Sequence, residues 1–501
     1  MRLKIAARRS ALARIQAQMV ARTLQDRFPD LIIDFHFRES LGDQNQTQPL
    51  WQMPEKGVFT ADLRTELLAG GCDLVVHSWK DLPVETGPET AVVATLPRAD
   101  VRDLLLIRND RWPVVAETGR LRLLTSSPRR IRNLPDFLME ALPARIGSLD
   151  FIPVRGNMQT RIRKMWEQEA DGLILAKAAL DRLLEAEAEE YASTRLELRE
   201  ALAQCRWMVL PVAANPSAPA QGALAIEIAA GRDDLRRMLE EINCAATFAA
   251  VERERQILKS HGGGCHQAIG VNVLVRPDGV LTVVRGVDQD GADVSRLELE
   301  AERPRPPRIA PERLWPLSAG ENRWFRREML AVGPLPEQDL WIARAEALPE
   351  GWSPGVDRIV WTAGQRTWRR LAARGVWVNG TAEGLGEREE TRLATLAGRS
   401  PDWVKLSHDA AGSEGEMPLL ATYRLVPDPA APAGGLVDLA DREYFFWMSG
   451  SSFQEALAVA PWLREKVHFC GPGNTREALV AAGIEPHVFL DHQQWLAEMS
   501  L

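Results

Sequence analysis

The apolar and polar positions change rhythm along the chain. Leu3-Lys4-Ile5 alternates as a short strand. Ser10 stands where an N-cap would, and Leu12, Ile15, Met19 and Leu24 follow at helical spacing until Pro29. The run Leu31-Ile32-Ile33-Asp34-Phe35 predicts a second strand leading to Gly42-Asp43. A helix is expected around Phe59–Leu68, and Asp73–His77 is an apolar, buried strand. This alternation through the first 300 or so residues predicts an α/β fold: a mostly parallel sheet with helices on both faces. Ligands on such sheets bind beyond the carboxyl ends of the strands. That directs attention to Arg8, Asp43, Ser78–Asp81, Ser126–Arg130 and Arg155–Arg161.

From Gly270 to Glu302 the rhythm becomes strand–turn–strand. Val271, Val273 and Val275 alternate, Pro277-Asp278-Gly279 turns, and Leu281–Val284 returns. With the preceding helix around Val251–Leu258, this predicts a small α+β domain. Residues 303–316, rich in proline and arginine, predict an extended linker, and a second Pro/Ala/Gly stretch covers 426–435. Asp357–Gly364 and Phe445–Gly450 each present an apolar strand, a small polar turn and then a helix. Two such units fit two similar α/β lobes.

Composition narrows the function. The chain has 501 residues, 45% hydrophobic and 26% charged, which suits a globular protein of several domains. A net charge of −8 argues against gripping nucleic acid as the main task. The five cysteines are scattered and no CxxC pair exists, so neither a disulfide framework nor a zinc module is expected, and a reducing cytoplasm fits. No apolar run reaches the ~18–20 residues of a membrane span. Residues 1–25 carry arginines and no acid, as transit peptides do, but the strand directly before the Ser10 cap favours folded structure.

Four segments could carry chemistry. In His77–Pro83 a strand ends in Lys80-Asp81; a carboxylate there can stabilise a developing cation, and the alternative is a surface ion pair. In Thr125–Arg130, hydroxyls and two arginines precede a helix opened by Pro128, an anion site or a plain capped helix. Arg155–Arg161 places two arginines around a turn into a helix. In Gly262–Gln267 three glycines expose Cys265, as a nucleophile, an attachment point or an inert turn. His261, Cys265 and His266 have poor spacing for zinc, so no metal is expected.

In order along residues 1 to about 300, these segments resemble hydroxymethylbilane synthase (porphobilinogen deaminase). The matches are Ala7–Ala13 with Gln16, Gly42-Asp43, Lys56–Phe59, His77–Pro83, Pro97–Asp103, Thr125–Arg130, Arg155–Arg161, Gln221–Ala223 and Gly263–Gly270. The resemblance implies two periplasmic-binding-protein-like lobes (1–98 with 206–222, and 99–205) and a third α+β domain, 223–302. It implies a dipyrromethane cofactor joined by thioether to Cys265. Asp81 would be the catalytic carboxylate, stabilising the cation formed as ammonia leaves porphobilinogen. Lys80, Asp43, Ser127, Arg129 and Arg130 would hold the cofactor. Arg8, Ser10, Arg155, Arg161, Gln221, Lys56 and Phe59 would serve the substrate, the last two from a loop over the cleft. Departures from the family pattern include Trp79 and Leu82 beside Asp81, and Ala220 where a glycine is usual.

After the linker, residues 317–501 resemble uroporphyrinogen-III synthase more weakly. Thr422–Arg424, Phe446–Ser449 and Gly471–Leu479 resemble its second lobe, with Tyr423, Ser449 and Thr475 as candidate site residues. The implied function is bifunctional: four porphobilinogens are condensed to hydroxymethylbilane, which is then cyclised with inversion of one ring. The alternatives are a deaminase with a non-catalytic C-terminal interaction domain, or a two-lobed anion-binding protein. A monomer without nucleic-acid or membrane partners is expected.

Overall fold

The computed structural model describes residues 1–39, 60–85, 87–263, 267–318, 321, 325–411, 417–428 and 439–501. The chain forms two compact units. One comprises Met1–Val275, Thr282–Leu297 and Arg392–Ser400; the other comprises Arg276–Leu281, Glu298–Thr391 and Pro401–Leu501.

The first unit opens with β1 (Arg2–Arg8) and α1 (Ala11–Arg27), joined by Ser10, whose Oγ accepts the Ala13 amide at 3.4 Å. The buried face of α1 is Ile15, Gln16, Ala17, Val20, Ala21 and Leu24. Met19, expected in that stripe, points outward; the small Ala17 and Ala21 let the helix lie close to the sheet instead. β2 (Ile32–Arg38), α2 (Ala61–Leu68), β3 (Leu74–Ser78) and β4 (Thr90–Ala94) complete most of this lobe. The second lobe runs β5 (Asp103–Arg108), α3 (Trp112–Thr118), β6 (Arg120–Leu124), α4 (Pro128–Ala141), β7 (Ser148–Ile152), α5 (Met158–Glu167), β8 (Gly172–Ala176), α6 (Lys177–Glu185), α7 (Ala192–Ala203) and β9 (Cys205–Val209). The chain then returns to the first lobe as β10 (Leu224–Ala229). It continues through α8 (Asp233–Glu240) and α9 (Ala245–Ser260) into a three-stranded sheet of β11 (Ile269–Arg276), β12 (Gly279–Val287) and β13 (Asp293–Ala301).

The lobe sheets have the orders β2-β1-β3-β10-β4 and β7-β6-β8-β5-β9. Neither is wholly parallel. β10 runs against β3 and β4, and β5 runs against β8 and β9, because these are the strands next to the crossings between lobes. The first core packs Ile5, Leu24, Leu74, Val76, Ile226 and Ile228, each worth roughly 1.5–3 kcal/mol of burial. Glu227 sits in the middle of β10 with no exposure. It accepts from Arg64 Nε at 2.7 Å and Thr90 Oγ1 at 2.6 Å, and bonds His77 Nε2 at 2.9 Å. Burial alone would raise its pKa, but the bonds from His77 and Thr90 and the charge of Arg64 hold it at about 2.

In the second unit, β14 (Leu314–Trp315) is followed by β15 (Phe325–Met329), β16 (Asp339–Ile342), β17 (Val360–Thr362), α10 (Gln365–Ala372) and β18 (Gly380–Thr381). The short α11 (Ala394–Ala397) falls in the first unit. Then come β19 (Trp403–His408), β20 (Leu419–Pro427), β21 (Tyr444–Trp447), α12 (Gly450–Val459), β22 (Val467–Cys470), α13 (Asn474–Ala481), β23 (His487–Val488) and α14 (His492–Met499). They form a six-stranded sheet, β15-β20-β19-β16-β17-β18, and a parallel four-stranded sheet, β14-β21-β22-β23. Two sheets give two lobes.

Three expectations need correction. The stretch 303–316 is not wholly a linker: Ile309 bridges Ser500, Leu314 and Trp315 pair with Tyr444 and Phe445, and all three are buried. Thr422-Tyr423-Arg424 lies on β20 of the six-stranded sheet, not in the second lobe, because β20 pairs along β15 and β19. Residues 392–400 belong to the first unit although 317–501 was expected to be one domain. Lys177 Nζ donates to Arg392 O at 2.6 Å, and Arg199 donates to Thr395 O at 2.7 Å and Leu396 O at 3.1 Å. These cations satisfy carbonyls that a one-turn helix cannot. Among the described residues no helix is long and apolar enough to cross a membrane.

Candidate active site

At the carboxyl end of β3 the chain enters a tight turn, Trp79–Asp81. The Trp79 amide donates to Ala223 O at 3.1 Å, and its indole is buried against Phe248, ring centroids 5.1 Å apart. The unusual Trp79 and Leu82 therefore belong to a small apolar cluster with Ala220, Ala223 and Val251. This anchor fixes the backbone from which Lys80 and Asp81 project.

Lys80 Nζ donates to Gln221 Oε1 at 3.0 Å, and Gln221 Nε2 donates onward to Asp103 Oδ1 at 2.9 Å and Val101 O at 2.8 Å. Asp103 has no exposure. It also accepts from Arg129 Nη2 at 2.8 Å, Arg130 Nε at 2.9 Å, Arg130 Nη2 at 2.7 Å and Asn215 Nδ2 at 2.8 Å. Burial would raise the Asp103 pKa, but Arg129 and Arg130 hold it far below the usual carboxylate range. Arg129 also donates to Asn215 Oδ1 and Pro216 O, and Arg130 Nη1 to Ile174 O at 2.9 Å. Every guanidinium nitrogen of Arg130 thus donates inside the protein. Both arginines thus enter the site as partners of a buried acid, because Asp103 needs cations to be buried at all.

The less committed cations are Lys80, Arg155 and Arg161. Burial, with Arg130 and Arg129 nearby, pulls Lys80 down to about 8 against the pull of Asp81 and Asp103. Burial, then Arg130 and Arg155, lowers Arg161 to about 10, and Asp81 opposes the shift. Arg161 Nε donates to Gly156 O at 2.8 Å. Arg155 Nη1 is buried with no hydrogen-bond partner among the described residues. Arg155 precedes α5 and Arg161 lies within it, and Asn157 caps the helix by accepting the Thr160 amide at 2.9 Å.

Of the other expected site residues, Arg8 ends β1, which pairs in parallel with β3, so it lies at the same sheet edge as Ser78. The Ser10 hydroxyl is engaged in capping α1. Ser127 precedes Pro128 at the N-cap of α4 without a side-chain cap bond. Asp43, Lys56, Phe59 and Cys265 lie outside the described residues. Gly262 and Gly263, just before Cys265, have φ of 104° and 53°, a backbone that side chains rarely adopt.

The expected set omitted the residues that organise the site. Asp103 and Asn215 had no role. Nor had Arg98 and Glu254, which form a buried bidentate pair at 2.7 and 2.8 Å. Glu254 also accepts the amides of Ala220 and Val273, so α9 is tied to the loop that carries Gln221. Ala220 holds φ 67° there, strained for a residue with Cβ. Asp103 stands in the Pro97–Asp103 match, which was the available signal.

In the second unit a cavity of about 650 Å³ is lined by Tyr423 and Ser449 together, with Arg327, Arg344, Arg366 and Arg370. Ser449 caps α12, its Oγ accepting the Ser452 amide at 3.2 Å. Thr475 lines a neighbouring cavity of about 660 Å³, and Met448 borders both. Thr475 is thus not brought together with Tyr423 and Ser449, because α13 follows β22 and not β21. Among the described residues no cluster of three or more His, Cys, Asp or Glu side chains could hold a metal ion.

The family model for the dipyromethane cofactor binding domain of porphobilinogen deaminase matches residues 3–237. A porphobilinogen deaminase of Syntrophomonas wolfei is 35% identical over 287 residues, covering 57% of this chain and 84% of the relative. One from Desulfitobacterium hafniense is 33% identical over 303 residues, covering 60% and 90%. One from Bordetella parapertussis is 32% identical over 335 residues, covering 67% and 98%. A mutant uroporphyrinogen III synthase structure from Thermus thermophilus is 14% identical, covers 35% of this chain and 84% of its own, and has a TM-score of 0.24, too low to carry an argument.

Proposed function

The chain belongs to the porphobilinogen deaminase family, and from that premise we propose which of its residues perform the deamination and that its second unit acts on the product. Porphobilinogen is its substrate and dipyrromethane its cofactor.

The residues present fit a polyanionic group such as dipyrromethane. Arg155 carries a buried nitrogen without a partner among the described residues, and Lys80 and Arg161 are cations under strain from burial and like charge. Cys265 would hold the group through a thioether, aided by Lys80, Asp43, Ser127, Arg129 and Arg130. The four described cysteines suit that reading: Cys72, Cys205 and Cys470 are buried, with thiols pushed up to about 11, 12 and 12, and the Cys244 sulfur bonds Thr247 Oγ1 at 3.2 Å. When bound, the dipyrromethane supplies the pyrrole carbon to which porphobilinogen is joined.

Asp81 is the catalytic carboxylate. As ammonia leaves porphobilinogen, positive charge develops on its pyrrole, and a carboxylate held at the end of β3 stabilises that charge. Arg155 and Arg161 bind the acetate and propionate side chains, with Arg8 at the same sheet edge; Asp43, Lys56 and Phe59 are further candidates. Gln221 positions Lys80 and conveys the fixed charge of Asp103. The observation that carries this reading is the continuous path Lys80–Gln221–Asp103–Arg130 beside Asp81.

For the second unit the reading is cyclisation of hydroxymethylbilane to a uroporphyrinogen of the III type. It is supported by two α/β lobes joined through the antiparallel β15–β20 pair and by a cavity that both Tyr423 and Ser449 line. The test is turnover of porphobilinogen by the full chain, with isomer analysis of the oxidised products. A type III product supports both activities. Type I alone leaves the deaminase and removes the cyclase.

A further inference from the structure

We propose that the cavity of the second unit selects its ligand by the number of carboxylates it carries, through three guanidinium groups, Arg327, Arg344 and Arg366, set opposite a wall of serines. The inference rests on the cyclisation reading and adds to it the residues that recognise the substrate.

Three separate elements deliver these cations. Arg327 is on β15, Arg344 stands two residues beyond the end of β16, and Arg366 is in the first turn of α10. None has a side-chain hydrogen bond or ion pair among the described residues. Arg370, in the same cavity, is different: its Nη1 is 2.5 Å from Glu346 Oε1. Arg344 feels the cost of the grouping. Burial first, and then the charges of Arg327 and Arg366, lower its pKa, with Tyr423 and Glu346 opposing. Like charges repel unless a counter-charge is supplied, and here the lining supplies two acids, Glu346 and Asp428, to four arginines. That local excess stands in a chain whose net charge is −8.

The opposite wall is chemically distinct. Ser449 caps α12, and Ser451 and Ser452 lie in its first turn, where hydroxyls and the amides not taken by the cap can donate to a negative charge. A ligand carrying several carboxylates can meet guanidinium groups on one lobe and serines on the other. One carboxylate alone satisfies neither wall. Arginine suits this task because its planar fork binds carboxylates in pairs of hydrogen bonds. The class of ligand is therefore a flexible or macrocyclic polycarboxylate.

The experiment uses the full chain and two stable probes, an octacarboxylate porphyrin and a tetracarboxylate porphyrin, titrated by quenching of protein fluorescence. The wild-type chain is expected to bind the octacarboxylate more tightly. In the double variant Arg344→Gln/Arg366→Gln that affinity falls about tenfold or more, as loss of charge-assisted bonds predicts, and the preference narrows. Arg370→Gln changes it by less than about twofold. Equal wild-type affinity for both probes, or unchanged affinity in the double variant, overturns the proposal. The two readings fail separately: type I product with lost binding in the double variant keeps the recognition site and removes the cyclase, whereas type III product with unchanged binding does the reverse. Circular dichroism of the variants checks that the substitutions leave the fold intact.

Discussion

Arg130 clasps Asp103 with two nitrogens, Nε 2.9 Å from one oxygen and Nη2 2.7 Å from the other, and both side chains are buried. The clasp joins the start of α4 to the first residue of β5, the strand that follows the crossing from the first lobe. Through Gln221 it reaches Lys80. Structure and electrostatics of the deaminase site thus share one carboxylate.

Replacing that carboxylate should be expensive. Asp103→Ala leaves Arg129 and Arg130 buried with no acid, and removal of one partner from such a group costs about 3–5 kcal/mol. Urea denaturation of the full chain measures it. The pH dependence has a definite sign. The folded-state pKa is depressed, so the stabilisation is fully present above the unfolded value of about 3.9 and is lost as pH falls below it. An unchanged denaturation midpoint in Asp103→Ala would contradict this account.

Lys80 should give the site an alkaline limb. With its pKa lowered to about 8, it loses its proton as pH rises from 7 to 9, and carboxylate binding weakens over that window. Stability moves the other way: a depressed lysine costs the folded state its proton affinity below pH 8, and the cost is relieved between about pH 8 and 10.4. KM for porphobilinogen is expected to rise through an apparent pKa near 8, and Lys80→Arg should remove that limb because arginine stays charged. A KM profile flat from pH 7 to 9 in the wild type excludes the role.

Asp81→Ala is expected to lower ammonia release by about 10²–10⁴-fold, the range for losing a positioned catalytic group. The fold should persist, since Trp79 and not Asp81 is the buried anchor of that turn. Release assays with single-turnover quantities of porphobilinogen read the effect directly. Retained turnover would take the role from Asp81.

Cys265→Ser is expected to yield a chain whose intact mass equals the polypeptide alone, whereas the wild type carries the added mass of dipyrromethane. An adduct that persists in the variant would move the attachment elsewhere.

Local signals in the sequence were legible where one short segment decides the outcome. Ser10 caps α1, Pro128 opens α4, and the strand–turn–helix units at Val360 and Tyr444 recur as expected. What escaped was pairing at a distance. Nothing local says that Arg129 and Arg130 pair with Asp103, because the acid and the arginines stand in separate motifs that only the fold brings together. Arg327, Arg344 and Arg366 escaped for the same reason: three elements carry them, and only the sheet order brings them to one cavity. Met19 was misassigned because the alanines that decide the buried face of α1 carry little weight in an apolar pattern.

The excursion of residues 392–400 bears on modularity. A chain cut just after residue 302 would keep every strand of the deaminase lobes and yet lose α11, whose carbonyls occupy Lys177 and Arg199. Lys177 is fully buried, and the cut would open it to water and leave it to Asp181 and Asp100. The covalent boundary and the physical boundary therefore do not coincide. The second half of the polypeptide cannot be shed as an independent passenger, because the first half has borrowed one of its turns.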